Sequence, residues 1–188
     1  GIERWFLWLG DCSPSELRKL PESLKRVEAV RAYRLKSPSA PTRKLAATPT
    51  RFHTEFIAQG DYIALPQVSS ERRSIIPMAF LGADVLCGDK LRLIDQATLY
   101  DFGVLTSAMH MAWMRTVSGR LKSDYQYSAK ITYNNFPWPE PSDDDKHRAA
   151  IETAAQAVLD ARARFPEATL ADLYDPLTMP PALVKAHA

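Results

Sequence analysis

The sequence is short of almost everything that organises chemistry in a small protein. It holds two cysteines, Cys12 and Cys87, far apart and in no CxxC pattern. That argues against a zinc ribbon or a disulfide framework and for free thiols in a reducing cytoplasm. Its seven glycines never form G-x-G, so no glycine-rich turn lets a nucleotide or a methyl donor approach the backbone. The four histidines, His53, His110, His147 and His187, lack metal-ligand spacing, and no nucleophile elbow gathers serine, histidine and acid. A loop of Asn or Asp, two prolines and an aromatic, which can hold a target amine, is missing too. In Asn134-Asn135-Phe136-Pro137-Trp138 the order is wrong, and the segment reads as packing and chain reversal. No apolar run approaches the roughly 20 residues that span a bilayer, and no signal-peptide pattern opens the chain. The expectation is a cytoplasmic, non-membrane chain with no catalytic residue, no metal and no cofactor of its own.

What is present is ordinary in bulk and uneven in detail. A chain of 188 residues, 46% hydrophobic and 24% charged, suits one globular domain, or one domain with a helical appendage. It opens abruptly, Gly1-Ile2-Glu3-Arg4 running into Trp5-Phe6-Leu7-Trp8-Leu9, which reads as the middle of a longer protein. The net charge of +2 hides a division. From Ser15 to Arg51 ten basic residues face three acidic ones, whereas from Pro139 onward five basic residues face nine acidic ones. A basic block followed by an acidic tail suggests that one surface meets a polyanion and another faces away. A solvated basic helix would show the same balance.

The local pattern predicts a mixed α/β (α+β) fold: a small sheet around one buried central helix, with a C-terminal helical extension. Glu3 to Leu9 is aromatic-rich and reads as a buried strand. Ser13-Pro14 is an N-cap with proline at the first helical position, and the apolar steps from Leu17 to Val30 mark helices broken at Pro21. Pro38 to Pro49 reads as a loop, and Phe56–Val68, Ile75–Leu81 and Leu91–Ile94 as strands. Thr98 to Ser118, with only Asp101 and Arg115 charged, is expected to be the buried helix, stopped by Gly119 as a C-cap glycine. His110 lies on it as a core or interface histidine rather than a base. Ala129 to Tyr133 reads as extended. Ser142 and Asp143 to Asp145 are expected to cap a long helix whose inward stripe is Ile151, Ala154, Ala155, Val158, Ala161 and Phe165. Trp5, Trp8, Trp113, Phe136 and Trp138 read as core aromatics. Leu170 to Tyr174 and Pro180-Pro181 start shorter helical pieces.

One stretch carries chemistry. Lys122, Asp124, Gln126 and Ser128 alternate with Leu121, Ser123, Tyr125 and Tyr127, and an extended chain would put the polar four on one face. Lys can donate to O6/N7 of guanine, Asp can accept from N4 of cytosine, and Gln can pair with N6/N7 of adenine. A Lys and an Asp two residues apart can therefore share one G·C pair. An edge strand with a weak surface ion pair would have the same spacing.

Several segments together resemble landmarks of one family. They are Ile2-Glu3-Arg4-Trp5, Val27-Glu28-Ala29-Val30-Arg31, Pro41-Thr42-Arg43-Lys44-Leu45-Ala46 and Val68-Ser69-Ser70-Glu71-Arg72-Arg73. Ala97-Thr98-Leu99-Tyr100, Leu105-Thr106-Ser107-Ala108-Met109-His110, Gly119-Arg120-Leu121-Lys122-Ser123-Asp124-Tyr125 and Tyr133-Asn134-Asn135-Phe136-Pro137-Trp138-Pro139 continue the series. Leu173-Tyr174-Asp175-Pro176-Leu177-Thr178-Met179-Pro180 fits as well. The family is that of the MmeI-like type IIG restriction–modification enzymes and their stand-alone methyltransferase relatives. The resemblance implies the rear part of a target recognition domain over residues 1–141 and a C-terminal helical region over 142–188. It implies a parent that uses S-adenosylmethionine to methylate adenine N6, with a nuclease in many members, and no catalytic motif on this stretch. The implied partners are double-stranded DNA and the methyltransferase domain of the same polypeptide.

Within that resemblance the specificity-determining pair falls on Lys122 and Asp124, with Gln126 near a further specificity position. Arg43, Lys44, Ser69, Ser70, Arg72, Arg73 and Arg120 are then candidate phosphate contacts, which position a duplex without reading it. The rival readings are a non-catalytic protein-interaction module and an RNA-binding module, each using the basic N-terminal block.

Overall fold

The computed structural model describes residues 5–53, 55–139 and 145–188. The landmark residues Ile2, Glu3 and Arg4 and the expected caps Ser142, Asp143 and Asp144 lie outside the described residues. The chain forms two compact units, Ile2–Phe56 and Ile57–Ala188.

The first unit is helical. Helix α1 (Pro14–Leu17) starts at the Ser13 N-cap with Pro14 at its first position, as the sequence predicts, and Glu16 completes a capping box in which the two residues satisfy each other's backbone N–H. Helix α2 (Pro21–Leu35) takes Pro21 at its start, where no N–H is needed. Pro38 to Pro49 is not a plain loop. It contains α3 (Ala40–Lys44) and a 3-10 turn (Leu45–Ala47), because Pro41 stands in the first turn of a helix rather than breaking one. The expected strand at the front is also absent from the described residues. Trp5 to Leu9 pairs with no strand; Phe6 and Trp8 instead meet the Phe52 ring at 5.4 and 5.8 Å. Trp5 is 90% exposed, so it is no core aromatic.

The second unit is the mixed α/β body. Strands β1 (Tyr62–Pro66), β3 (Ala79–Leu81) and β4 (Leu91–Asp95) form one antiparallel sheet in the order β3-β1-β4. Strands β2 (Val68–Ser69), β5 (Gly119–Leu121) and β6 (Asp124–Gln126) form a second, in the order β2-β6-β5. Gln67 joins them: its N–H donates to Lys90 O at 2.9 Å, and its carbonyl accepts from the Tyr127 N–H at 2.8 Å.

The single buried helix expected over Thr98 to Ser118 is two helices, α4 (Leu99–Thr106) and α5 (Ala108–Val117). Ser107 separates them. Its extended backbone ends α4, its Oγ donates to Val104 O, and the same Oγ accepts the His110 N–H that opens α5. Gly119 is not a left-handed C-cap; Ser118 closes α5 and Gly119 begins β5. Ala129–Tyr133 is a π-helical turn, held by Ser128 O accepting from Tyr133 N, where the sequence suggested extension.

Helices α6 (Asp145–Ala163), α7 (Leu170–Leu173) and α8 (Pro181–Ala186) close the core rather than hanging from it. Ala155, Val158, Ala161, Leu173, Tyr174 and Leu183 join Ile63, Leu65, Met78, Phe102 and Leu105 in one buried cluster. Ala154 and Phe165, expected on the inward stripe, are exposed. Arg162 secures the junction: it donates to Met78 O at 2.7 Å and to the Tyr174 hydroxyl, which also bonds His187 Nε2 at 2.7 Å.

Candidate nucleic-acid interface

The surface that gathers most of the sequence candidates is the sheet β2-β6-β5. Strand β6 alternates as expected: Tyr125 is buried, and Asp124 and Gln126 point to the opposite face. Lys122 does not belong to that alternation. It and Ser123 form the two-residue turn of a hairpin in which Leu121 faces Asp124. The premise of one extended face for Lys122, Asp124, Gln126 and Ser128 is therefore corrected: Lys122 stands at the tip, and Asp124 follows as the first residue of the returning strand.

Lys122 has φ of +56°, a left-handed value at the first turn residue. Short hairpin loops match the strand twist with such backbones, and glycine, asparagine or aspartate usually supplies them. A lysine there carries strain of order 1 kcal/mol. Lys122 is exposed, and its amine has no partner among the described residues.

Opposite the hairpin, β2 runs into the turn Ser70 to Arg73, where Arg73 N donates to Ser70 O at 3.1 Å. Register pairs Val68 with Gln126 and Ser69 with Tyr125. The Glu71 N–H donates to Asp124 Oδ1 at 3.3 Å, tying this turn to the hairpin. Arg72 is exposed with no guanidinium partner among the described residues. Arg73 is half-buried, its Nε donating to Tyr174 O at 3.3 Å. Ser70 Oγ accepts from the Arg72 N–H. Ser69 is 2% exposed with its hydroxyl buried, so the expected phosphate contact there is withdrawn by burial.

Arg120 is engaged within the protein. Its guanidinium lies 3.8 Å from the Tyr125 ring centre, donates to Ser123 O at 2.7 Å, and stands 3.8 Å from Glu71 Oε2. Sequence reasoning missed Glu71 and Tyr125 as parts of this surface. The only available signal was that Glu71 interrupts a Ser-Ser-Arg-Arg run. Arg43 and Lys44 belong to the other unit and are exposed there. Arg43 grips the carbonyls of Ser37 and Pro38 at 2.8 Å each, whereas the Lys44 amine has no partner among the described residues.

Beneath the hairpin, Tyr127 bonds His110 Nε2 at 2.9 Å, and both are almost wholly buried. Burial drives the His110 pKa down to about 4 and pushes the Tyr127 hydroxyl up. The pair is a neutral support, not an acid–base pair exposed to a substrate. Among the described residues no cluster of His, Cys, Asp or Glu can hold a metal, and no helix is long and apolar enough to cross a membrane.

Fold and surface together define a mixed α/β module with a helical closure and a polar hairpin anchored in the core by Tyr125. Residues 1–140 match the family model of the MmeI target recognition domain and residues 143–188 that of the MmeI C-terminal domain, so the chain belongs to the MmeI family. It is 41% identical over 184 residues to DNA methyltransferase A of Bacillus subtilis (strain 168), covering 98% of this chain and 21% of that protein. A solved structure of the type IIL restriction–modification enzyme MmeI in complex with DNA superposes with a TM-score of 0.92 at 45% identity, covering 97% of this chain and 24% of that one. The chain thus spans less than a quarter of the length of each relative.

Proposed function

We propose that this chain reads DNA sequence for a site-specific, S-adenosylmethionine-dependent adenine-N6 methyltransferase of a restriction–modification system, and that catalysis belongs to another part of the same polypeptide. The division into a recognition part, residues 1–141, and a C-terminal helical part, 142–188, is included in the proposal, as is a cytoplasmic site of action. The reading rests above all on one observation: an exposed hairpin carries Lys122, Asp124 and Gln126 within one turn and one strand, beside an exposed Arg72. Relatives named as a DNA methyltransferase and as a restriction–modification enzyme in complex with DNA support it.

In this reading Lys122 donates to guanine, Asp124 accepts from the paired cytosine, and Gln126 reads a neighbouring pair in the major groove. Arg72, Arg73, Ser70, Arg43 and Lys44 contact phosphates and set affinity. The domain elsewhere in the polypeptide flips and methylates the adenine.

Exchanging the reading pair tests this in the full-length enzyme. Lys122→Glu with Asp124→Arg moves the acceptor to the tip and a bidentate donor to the strand. The preferred pair at one position of the site should invert from G·C to C·G, with the others unchanged. A wrong pair at a read position costs about 1–3 kcal/mol, roughly tenfold to a hundredfold, which sequencing of methylated sites resolves. A double variant that still methylates the original site as before refutes the assignment.

A further inference from the structure

We propose that Arg120 and Glu71 are positioning residues for sequence reading, a clamp that fixes the hairpin tip, and that Arg120 is not a phosphate contact. The inference rests on the reading of the hairpin as the base-reading element.

Hydrogen bonds to base edges demand placement to about half an ångström, and a short hairpin alone is marginal in water. Strand β5 is poorly suited to hold the tip by burial. Gly119, Arg120 and Leu121 are all exposed, Leu121 at 54%. The strand has its ladder to β6 and one anchoring side chain, Arg120. That side chain spans the whole device. It lies over Tyr125, its direct partner in register, and holds the turn through the carbonyl of Ser123. It also faces the Glu71 carboxylate on the neighbouring turn.

Glu71 is bound to the reading strand by its backbone as well. Its N–H occupies Asp124 Oδ1, which orients the carboxylate and leaves Oδ2 for a base. The charges point the same way. A carboxylate 3.8 Å from the Arg120 guanidinium offsets the charge a phosphate would seek, and that carboxylate would itself repel a phosphate. The nearby cation left for the backbone is Arg72.

The test uses the full-length enzyme, with duplexes carrying its own site and versions with each base pair replaced in turn. Arg120→Lys is the decisive variant. It keeps the charge that a phosphate contact needs and loses the planar fork that stacks and holds the turn. Arg120→Lys and Glu71→Gln should each lower discrimination about tenfold at the one pair read from the tip, with the other positions unchanged. Their double variant should be no worse than the weaker single, because both act through one clamp. In Arg120→Gln the slope of log binding constant against log salt should stay at the wild-type value.

A slope lower by about one unit in Arg120→Gln, with discrimination intact in Arg120→Lys, would make Arg120 a phosphate contact and overturn the clamp. Equal losses at every position, with lowered thermal midpoints, would overturn it as well by showing mere unfolding. If the wild-type enzyme itself shows no preference at the pair, the reading of the hairpin fails first, and the clamp with it.

Discussion

One unit of this chain holds two antiparallel sheets of three strands each, and they are used in opposite ways. In β3-β1-β4 the central strand is buried from Tyr62 to Leu65. In β2-β6-β5 the edge strand β5 is exposed throughout, and the centre buries only Tyr125. Architecture does not separate the two; side chains do. Strand β1 is filled by Tyr62, Ile63, Ala64 and Leu65, while the hairpin carries Arg120, Lys122, Asp124 and Gln126. The first sheet is filled by the core, and the second leaves charged and polar side chains on an exposed surface.

The contrast breaks most readily by truncation. Leu65→Ala, at a residue 1% exposed, should cost about 2–5 kcal/mol of unfolding free energy, whereas Leu121→Ala should stay within about 0.5 kcal/mol. Urea titration of both variants checks this, and equal costs would show that the exposed edge strand β5 carries as much of the folding energy as the buried strand β1.

Acid probes the support between them. His110 has a folded pKa of about 4 against a usual 6.5, so below 6.5 the unfolded chain binds the extra proton. Stability is then complete above pH 6.5 and falls as the pH drops toward 4. For His110 the loss between pH 6.5 and 5.5 should be about 1 kcal/mol. His187, lowered to about 4 chiefly by burial and then by Arg162, adds to it in the same direction. Replacing His110 with Gln should flatten that slope in melts across the range.

A small expected effect on folding accompanies the sharpest functional one. Lys122→Gly relieves the left-handed backbone but frees the unfolded chain, so stability should move by less than about 1 kcal/mol. Discrimination at the tip should nevertheless disappear. A variant that keeps its preference would remove Lys122 from the reading set.

Local signals in the sequence were read correctly where one residue acts on its neighbours. Ser13, Pro14, Pro21 and Leu170 to Tyr174 all stand in or beside helices at the expected positions. Ser107 defeated the same logic, because a serine inside an apolar run reads as helix until its Oγ is seen serving both ends. The hairpin tip was hidden because Lys-Ser is not a turn pair of the Asn-Gly kind. Lys122, Asp124 and Gln126 do lie on one hairpin, but not on one extended face. The engagement of Arg120 depends on Glu71, far away in sequence, and no local pattern carries that.

Gly103 has a consequence for inheritance. A β carbon there would lie 2.6 Å from Ile151 Cγ2 and 3.1 Å from the Ile151 carbonyl, so α4 and α6 touch along a surface cut for one another. The two residues lie on opposite sides of the boundary between the matched regions, 1–140 and 143–188. A recombinant that took each region from a different ancestor would have to bring both halves of that fit from separate histories. A β carbon at position 103 or a reshaped side chain at 151 would therefore have to be matched by a change on the other side of that boundary.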